Sequence, residues 1–441
     1  MSISKNLGGS VLLATMVVLG SVSSAQAYGP EGLFGGRGQP DGSLVMYNPT
    51  ALTTDRPDVA ESVLRQSRPD YEAAPIAIGS FELYPTLEID ENYDSNIYAT
   101  HSDHRDDMIG TARPILDLFS NWDKHAMSIT TFGDINYFSQ HADENYQNGV
   151  LDVNGRYDLS HRTWIAANAG YQHLAEMRSS IDNSFGSKPT IFNVAKADLT
   201  GYHSFGKTKL TTSYDLRRFD FDDVPSSEGD IDKSNRDRIN HVFDTKLAYR
   251  LDKNFMPYIR GAYNIRDYDH NALHSSDGYE VVVGTAFDYR RDLSIDLFAG
   301  WMVQDYDNFT GYTTVSTPKL GGRADWNFTP KSTLTVEADR TIEDTTSTGE
   351  TSYTQTGGSL TLTHELYGNL LVEANSAYSH LDFNGVTNIQ DDTVRLGAGL
   401  RFLINRNLYS DLIYSYDRRY STDAAADYAR NVVTARIGVH M

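Results

Sequence analysis

The chain of 441 residues contains no cysteine. No disulfide is available to staple it, no thiolate to hold a metal or attack a substrate, and no lipid anchor through a modified cysteine is expected. Proline is sparse at 13 residues, as a chain built largely of paired strands requires. Positive charge is also short, with 38 Lys and Arg against 59 Asp and Glu and a net charge of −21. Clustered basic residues are what nucleic-acid binding needs, so that partner is excluded. Beyond the first twenty residues there is no apolar run long enough for a membrane helix, and the mean hydropathy is −0.46. A phosphate-binding glycine loop, zinc-ligand spacing and a nucleotide fingerprint are all missing as well.

What the chain does have is alternation. Phe81, Leu83, Pro85, Leu87 and Ile89 fall on one parity and Glu82, Tyr84, Thr86, Glu88 and Asp90 on the other. Such two-sided alternation is a strand with different solvents on its two faces, whereas a buried parallel strand reads as a continuous apolar run. Stretches of this kind recur to Met441, with centres near residues 85, 113, 132, 153, 168, 197, 214, 245, 261, 284, 299, 321, 338, 360, 373, 398, 412 and 435. Eight short connections, such as Phe205-Gly206-Lys207 and Asn405-Arg406-Asn407, alternate with nine longer ones. Eighteen strands with both termini on one side need eight turns there and nine loops opposite. The expected fold is therefore all-β, an 18-stranded antiparallel transmembrane β-barrel with a mostly irregular N-terminal periplasmic arm.

The N-terminus supports an exported chain. Lys5, the apolar stretch Val11 to Leu19 and Ala25-Gln26-Ala27 have the order of a secretory signal peptide over residues 1–27. Its removal takes away one positive charge and leaves the mature net charge at −22. Residues 28–79 show no sustained period and are assigned to the arm, with one short helical turn near Val59 to Arg65. Residues 80–441 are assigned to the barrel, and the expected location is the cell outer membrane.

In a barrel, charged parity must face the lumen, because a lipid-facing arginine near the bilayer midplane costs about 2–4 kcal/mol. The expected lumen-lining residues are Glu82, Tyr84, Glu88, Tyr258, Arg260, Arg266, Asp296, Glu337, Arg395 and Arg401. Charges of both signs there can line a passage or merely stiffen the wall by bonding one another. Trp122, Trp164, Tyr249, Tyr279, Tyr289, Trp301, Trp326, Tyr367, Tyr414 and Tyr416 lie towards strand ends and suit interfacial girdles. Acidic loop segments such as Asp220-Phe221-Asp222-Asp223 lack the spacing of a calcium loop. His173, His203, His241 and His364 lie within strands with no nucleophile motif beside them. No catalytic residue, metal or cofactor is expected.

The segments Arg65-Gln66-Ser67-Arg68-Pro69-Asp70-Tyr71, Gly79-Ser80-Phe81-Glu82-Leu83-Tyr84-Pro85 and Tyr93-Asp94-Ser95-Asn96-Ile97 resemble the opening of the outer-membrane β-barrel porin type 2 family. That family characteristically has an Arg-Pro-x-Tyr start, a Gly-x-Phe-x-x-x-Pro first strand and a Tyr-Asp-x-Asn-(Ile/Val) first external loop. The layout is similar over roughly residues 60 to 441, although Met441 stands where an aromatic residue is usual. The resemblance implies a pore for exopolysaccharide export that works with a polysaccharide export lipoprotein, amid lipopolysaccharide and outer-membrane lipids, and brings no catalytic residues. A general diffusion porin for small solutes is the alternative, and a barrel hydrolase acting on lipid a third.

Overall fold

The computed structural model describes residues 62–441 apart from 184–185, 290–291 and 307–313. The signal-peptide reading and residues 28–61 of the arm fall outside the described residues. A single 3₁₀ turn, Val63–Arg65, stands where the sequence suggested helix. Among the described residues no helix is long and apolar enough to cross a membrane.

Nineteen strands follow in order. After the short β1 (Ile76–Ile78) come β2 (Phe81–Asp94), β3 (Asp107–Ser120), β4 (Ala126–Phe138), β5 (Tyr146–Ser160), β6 (Thr163–Ala175) and β7 (Ile191–Phe205). Next are β8 (Thr208–Phe221), β9 (Arg238–Tyr249), β10 (Phe255–Tyr268), β11 (Ser276–Tyr289), β12 (Leu293–Asp305) and β13 (Thr314–Thr329). The last six are β14 (Ser332–Asp344), β15 (Glu350–Tyr367), β16 (Leu370–Gly385), β17 (Gln390–Asn405), β18 (Leu408–Ser421) and β19 (Tyr428–His440). From β2 onward each strand pairs antiparallel with the next, and β19 returns to β2 from Val432↔Asp94 to His440↔Thr86. The sheet is a closed barrel of eighteen strands. All eighteen centres read from the sequence fall inside these strands.

The barrel strands run from 12 residues in β9 to 18 in β15, longer than the ten or so that a tilted spanning strand needs. Pairing therefore continues past the hydrocarbon. One end carries eight tight turns and the other the longer connections, of which the longest joins β8 to β9. Short turns mark the periplasmic end and long loops the extracellular end. Strand β1 turns back onto β2 through Gly79, whose φ of +61° is a left-handed conformation that glycine adopts without strain.

Four prolines lie within strands, and each sits where one neighbouring ladder is absent. Pro85 falls below the first β19 pair at Thr86, and Pro114 in a gap between Ala112↔Ile135 and Ile115↔Phe132. Pro257 precedes the first β9 pair at Tyr258, and Pro318 lies beyond the last β13–β14 pair at Gly321. A residue without an N–H is tolerated only at such places.

Burial alternates along the wall. On β9, Arg238, Asn240, Val242, Asp244, Lys246 and Ala248 are buried, while Phe243, Leu247 and Tyr249 are exposed. The exposed set faces the lipid. On that face aromatic side chains near the extracellular rim donate to the next strand: Trp301 to Ser316 at 2.8 Å, Tyr263 to Asp277 at 3.0 Å and Tyr414 to Asn431 at 2.9 Å. These are the polar tips of a girdle whose ring bodies lie in the acyl region. Trp164 departs from the sequence reading. It lies on the inward parity of β6 with Asn168 and Leu174, 7% exposed, stacked on Tyr202 at 5.2 Å, and Ile165 takes the lipid side. Residue type alone does not fix parity; the strand register does.

Val283 sits outward at the middle of β11, and Asn154 inward on β5. Val283→Arg should reduce the heat-modifiable folded fraction, at a cost of about 2–4 kcal/mol, while Asn154→Arg should assemble like the parent. Equal assembly of both would contradict this register.

Candidate functional site

The site is the lumen, and its wall is a set of ion pairs. At the seam where β19 meets β2, Arg436 places Nε and Nη2 each 2.7 Å from the Asp90 carboxylate and Nη1 3.5 Å from Glu88. Glu88 also accepts from Arg113 at 3.1 Å and from the Tyr409 hydroxyl at 2.5 Å. Arg401 holds Asp411 through bonds of 2.8 and 2.7 Å, and Asp411 in turn lies 3.9 Å from Arg436. Burying such charges is costly, and removing one partner strands the others. The network therefore fixes which strands meet at the closure.

The expected lumen-lining residues all occupy the inward parity but form several groups. Glu88 and Arg401 share the seam network. Glu82 and Tyr84 are half-buried near the periplasmic mouth, the Tyr84 hydroxyl donating to Glu82 at 3.2 Å with Phe119 edge-on at 5.9 Å. Tyr258 donates to Asp296 at 2.6 Å, and the Lys246 ammonium covers its ring 3.7 Å from the centroid. Arg260 pairs with Asp244 and, at 2.9 Å, with Glu280. Glu337 meets Arg323, and Arg395 lies 3.0 Å from Asp417. Arg266 stands apart near the extracellular end, where it binds Asp344. His173, His203, His241 and His364 all face outward, each bonded to a side chain on the adjacent strand.

Two elements that have no strand period occupy the lumen, which is why sequence reasoning missed their partners. At the periplasmic mouth the Val63–Arg65 turn enters the barrel. Val63 is 0% exposed against inward Leu371 and Ile413, and its N–H donates to Thr333 Oγ1 at 2.9 Å. Arg68 secures the turn through Glu365 at 2.9 Å and the Val63 carbonyl at 2.9 Å.

The extracellular closure is built from the β6–β7 connection and the β14–β15 hairpin. Arg178 binds Glu144 through bonds of 2.8 and 2.6 Å, Arg236 binds Glu176 at 3.0 and 2.8 Å, and Arg419 on β18 donates to the Ser179 carbonyl at 2.7 Å. Ile181 packs on Tyr353, Leu381 and Phe383. Asp182 then accepts from Thr345 Oγ1 at 2.7 Å and Thr346 N–H at 2.9 Å, so connection and hairpin meet inside the barrel. Among the described residues no group of acidic or histidine side chains is placed to hold a metal ion.

A profile of the family described as Putative beta-barrel porin 2 matches residues 68–441. The chain belongs to this β-barrel porin family. It is thus a pore-forming barrel of the outer membrane. Among solved structures it is similar to OpdK of Pseudomonas aeruginosa, at 9% identity over 81% of this chain and 99% of that one, with a TM-score of 0.45. It is similar also to OccAB3 of Acinetobacter baumannii, at 10% identity over 82% and 100% of the two chains, with a TM-score of 0.47. At such scores these likenesses carry no argument about cargo. None of the curated proteins matches the chain.

Both closures make testable demands on this porin. Val63→Asp puts a charge against Leu371 and Ile413 and should raise sensitivity to large antibiotics with the barrel still folded; an unchanged sensitivity profile would show that the turn does not seal the mouth. The second demand concerns pH. Burial alone would raise the Glu176 carboxyl, but Arg236, with Ser180 and Lys233 nearby, outweighs it and holds the pKa below its ordinary value. A lowered carboxyl pKa contributes stability that is fully present above the unfolded value, about 4.3, and is lost as pH falls through the folded value. Channel conductance should therefore stay low at neutral pH and rise only below the ordinary carboxylate range, and Glu176→Gln should bring that rise to neutral pH. A parent conductance that rises while the pH is still above the ordinary carboxylate range, or a Glu176→Gln variant that stays closed at neutral pH, would contradict the assignment.

Proposed function

We propose that this porin is the outer-membrane exit for an extracellular polysaccharide, fed from the periplasm by a polysaccharide export lipoprotein. The observation that carries the reading is closure at both ends. A ring of eighteen strands is wide enough to leave an aqueous channel, and a permanently open pore of that size suits small solutes. A polymer exit must be sealed when idle. Here Val63 occupies the periplasmic mouth and the β14–β15 hairpin the extracellular half.

The wall chemistry is suited to a polyhydroxylated chain. Charges of both signs alternate round it and already satisfy one another, so no single sign dominates the passage, and each pair can exchange a bond with a hydroxyl. Aromatic pairs such as Tyr84–Phe119 and Trp164–Tyr202 supply faces for sugar rings. We read the barrel as a channel without catalysis because its family is a porin family, although the Thr163 and Ser332 hydroxyls lie beside His203 and His364 on the lipid face.

The feeder would act on the segment around Val63, which lies on the periplasmic side with both strand termini. Deleting the gene should abolish polymer in the medium and leave small-solute uptake normal. The reverse outcome would assign the barrel to passive diffusion of small solutes.

A further inference from the structure

Strand β14 leaves the barrel wall part-way up. Its ladder with β13 runs from Ser332↔Thr329 to Asp339↔Gly321 and stops, although β13 continues to Thr314 and β14 to Asp344. Above the break β14 remains paired with β15, from Arg340↔Thr356 to Asp344↔Ser352, β15 remains paired with β16 as far as Glu350↔Gly385, and this edge of the wall turns into the lumen. There Ile342 packs on Met302, Tyr306 and Val315. On the other side of the break, β13 from Thr314 to Leu320 is paired with β12 alone.

The break is flanked by glycine on both sides. Gly321 and Gly322 of β13 lie opposite Asp339 and Ala338, and Gly357 and Gly358 of β15 lie opposite the same two residues. A Cβ on Gly321 would collide with the Phe298 ring, and one on Gly358 would come within 2.9 Å of the Glu337 carbonyl. The bend depends on the missing side chains. An unpaired strand edge is poorly tolerated within a bilayer unless it borders water or protein. Side chains bridge this one: Lys319 to Asp339 at 2.9 Å and Arg340 to Thr317 at 3.2 Å.

We propose that the β14–β15 hairpin, moving with the end of β16 to which it stays paired, is a hinged gate, which closes the lumen when folded inward and opens it when residues 340–344 zip onto the free edge of β13. Continuing the observed register gives Leu320↔Arg340, Pro318↔Ile342 and Ser316↔Asp344. Zipping turns Ile342 onto the lipid face beside Leu320 and Glu343 onto the lumen, the alternation that a barrel strand requires. The inward state is held by latches: Arg266 with Asp344 and the Ile342 carbonyl at 3.0 Å, the Tyr306 hydroxyl with Asp344 at 3.2 Å, and Asp182 with Thr345 and Thr346. Opening trades these for a run of backbone bonds along β13, so both states satisfy their polar groups.

The inference rests on reading the barrel as a pore, and ion conductance tests it whatever the cargo. The absence of native cysteine lets engineered pairs oxidise without competition. A closed lock joins Asp182→Cys to Thr345→Cys, and an open lock joins Ser316→Cys to Asp344→Cys. Each is reconstituted in planar bilayers with and without reductant, and heat-modifiable mobility reports folding. The oxidised closed lock should be silent and on reduction should open at least as readily as the parent, because its substitutions remove the Asp182 latch; the oxidised open lock should conduct several-fold more than the same variant reduced. Arg266→Ala, with no crosslink, should lengthen openings. An oxidised closed lock that conducts like the parent, or a folded open-lock variant that fails to crosslink or crosslinks without raising conductance, overturns the gate. Loss of polymer export with the conductance switch intact would count against the cargo and leave the gate standing.

Discussion

Backbone hydrogen bonding in hydrocarbon is the constraint from which the rest of this structure follows. Each strand N–H and carbonyl must find a partner inside the sheet, and only a closed ring supplies one on both sides. Closure then imposes two faces with different solvents, and the two faces impose alternation. The positions of Pro85, Pro114, Pro257 and Pro318 show how strictly the rule is applied, since each falls where one ladder is already absent. At β13 and β14 the ladder is broken over several residues, and glycine on both flanks and polar side chains across the gap accompany the break.

The lumen carries the electrostatic consequence. Inward residues are polar because the channel is wet, yet with the channel closed many are buried, so they pair. The seam network of Glu88, Asp90, Arg113, Asp411 and Arg436 joins strands from the two ends of the chain. A mismatched strand would leave several charges stranded, which makes the network a device for choosing the correct closure more than a source of net stability.

Much of this was legible in the sequence, because parity is a local signal. Strand centres, turn placement and the inward assignment of Glu88, Arg260 and Arg395 follow from a period of two that any ten-residue window displays. The girdle was partly legible: Trp301 and Tyr414 face lipid, whereas Trp164 faces inward, since an aromatic residue at a strand end suits either side. The closures were not legible. Val63 meets Thr333, 270 positions away, and Asp182 meets Thr345 across 163 positions, in segments with no period to reveal which face is buried. Gly321-Gly322 and Gly357-Gly358 could have hinted at a bend, but only once β14 was known to run between them.

The central claim is that one parity of each strand meets lipid and the other meets the lumen, and a scan along β11 tests it most directly. Single cysteines placed from Ser276 to Tyr289, each carrying a nitroxide, are read in lipid vesicles against oxygen, which concentrates in the acyl region, and a water-soluble nickel chelate. The account predicts that oxygen accessibility peaks at Tyr279, Val281, Val283 and Thr285 and falls at Glu280, Val282, Gly284 and Ala286. A smooth profile without that period of two, or one with the parities exchanged, would contradict it.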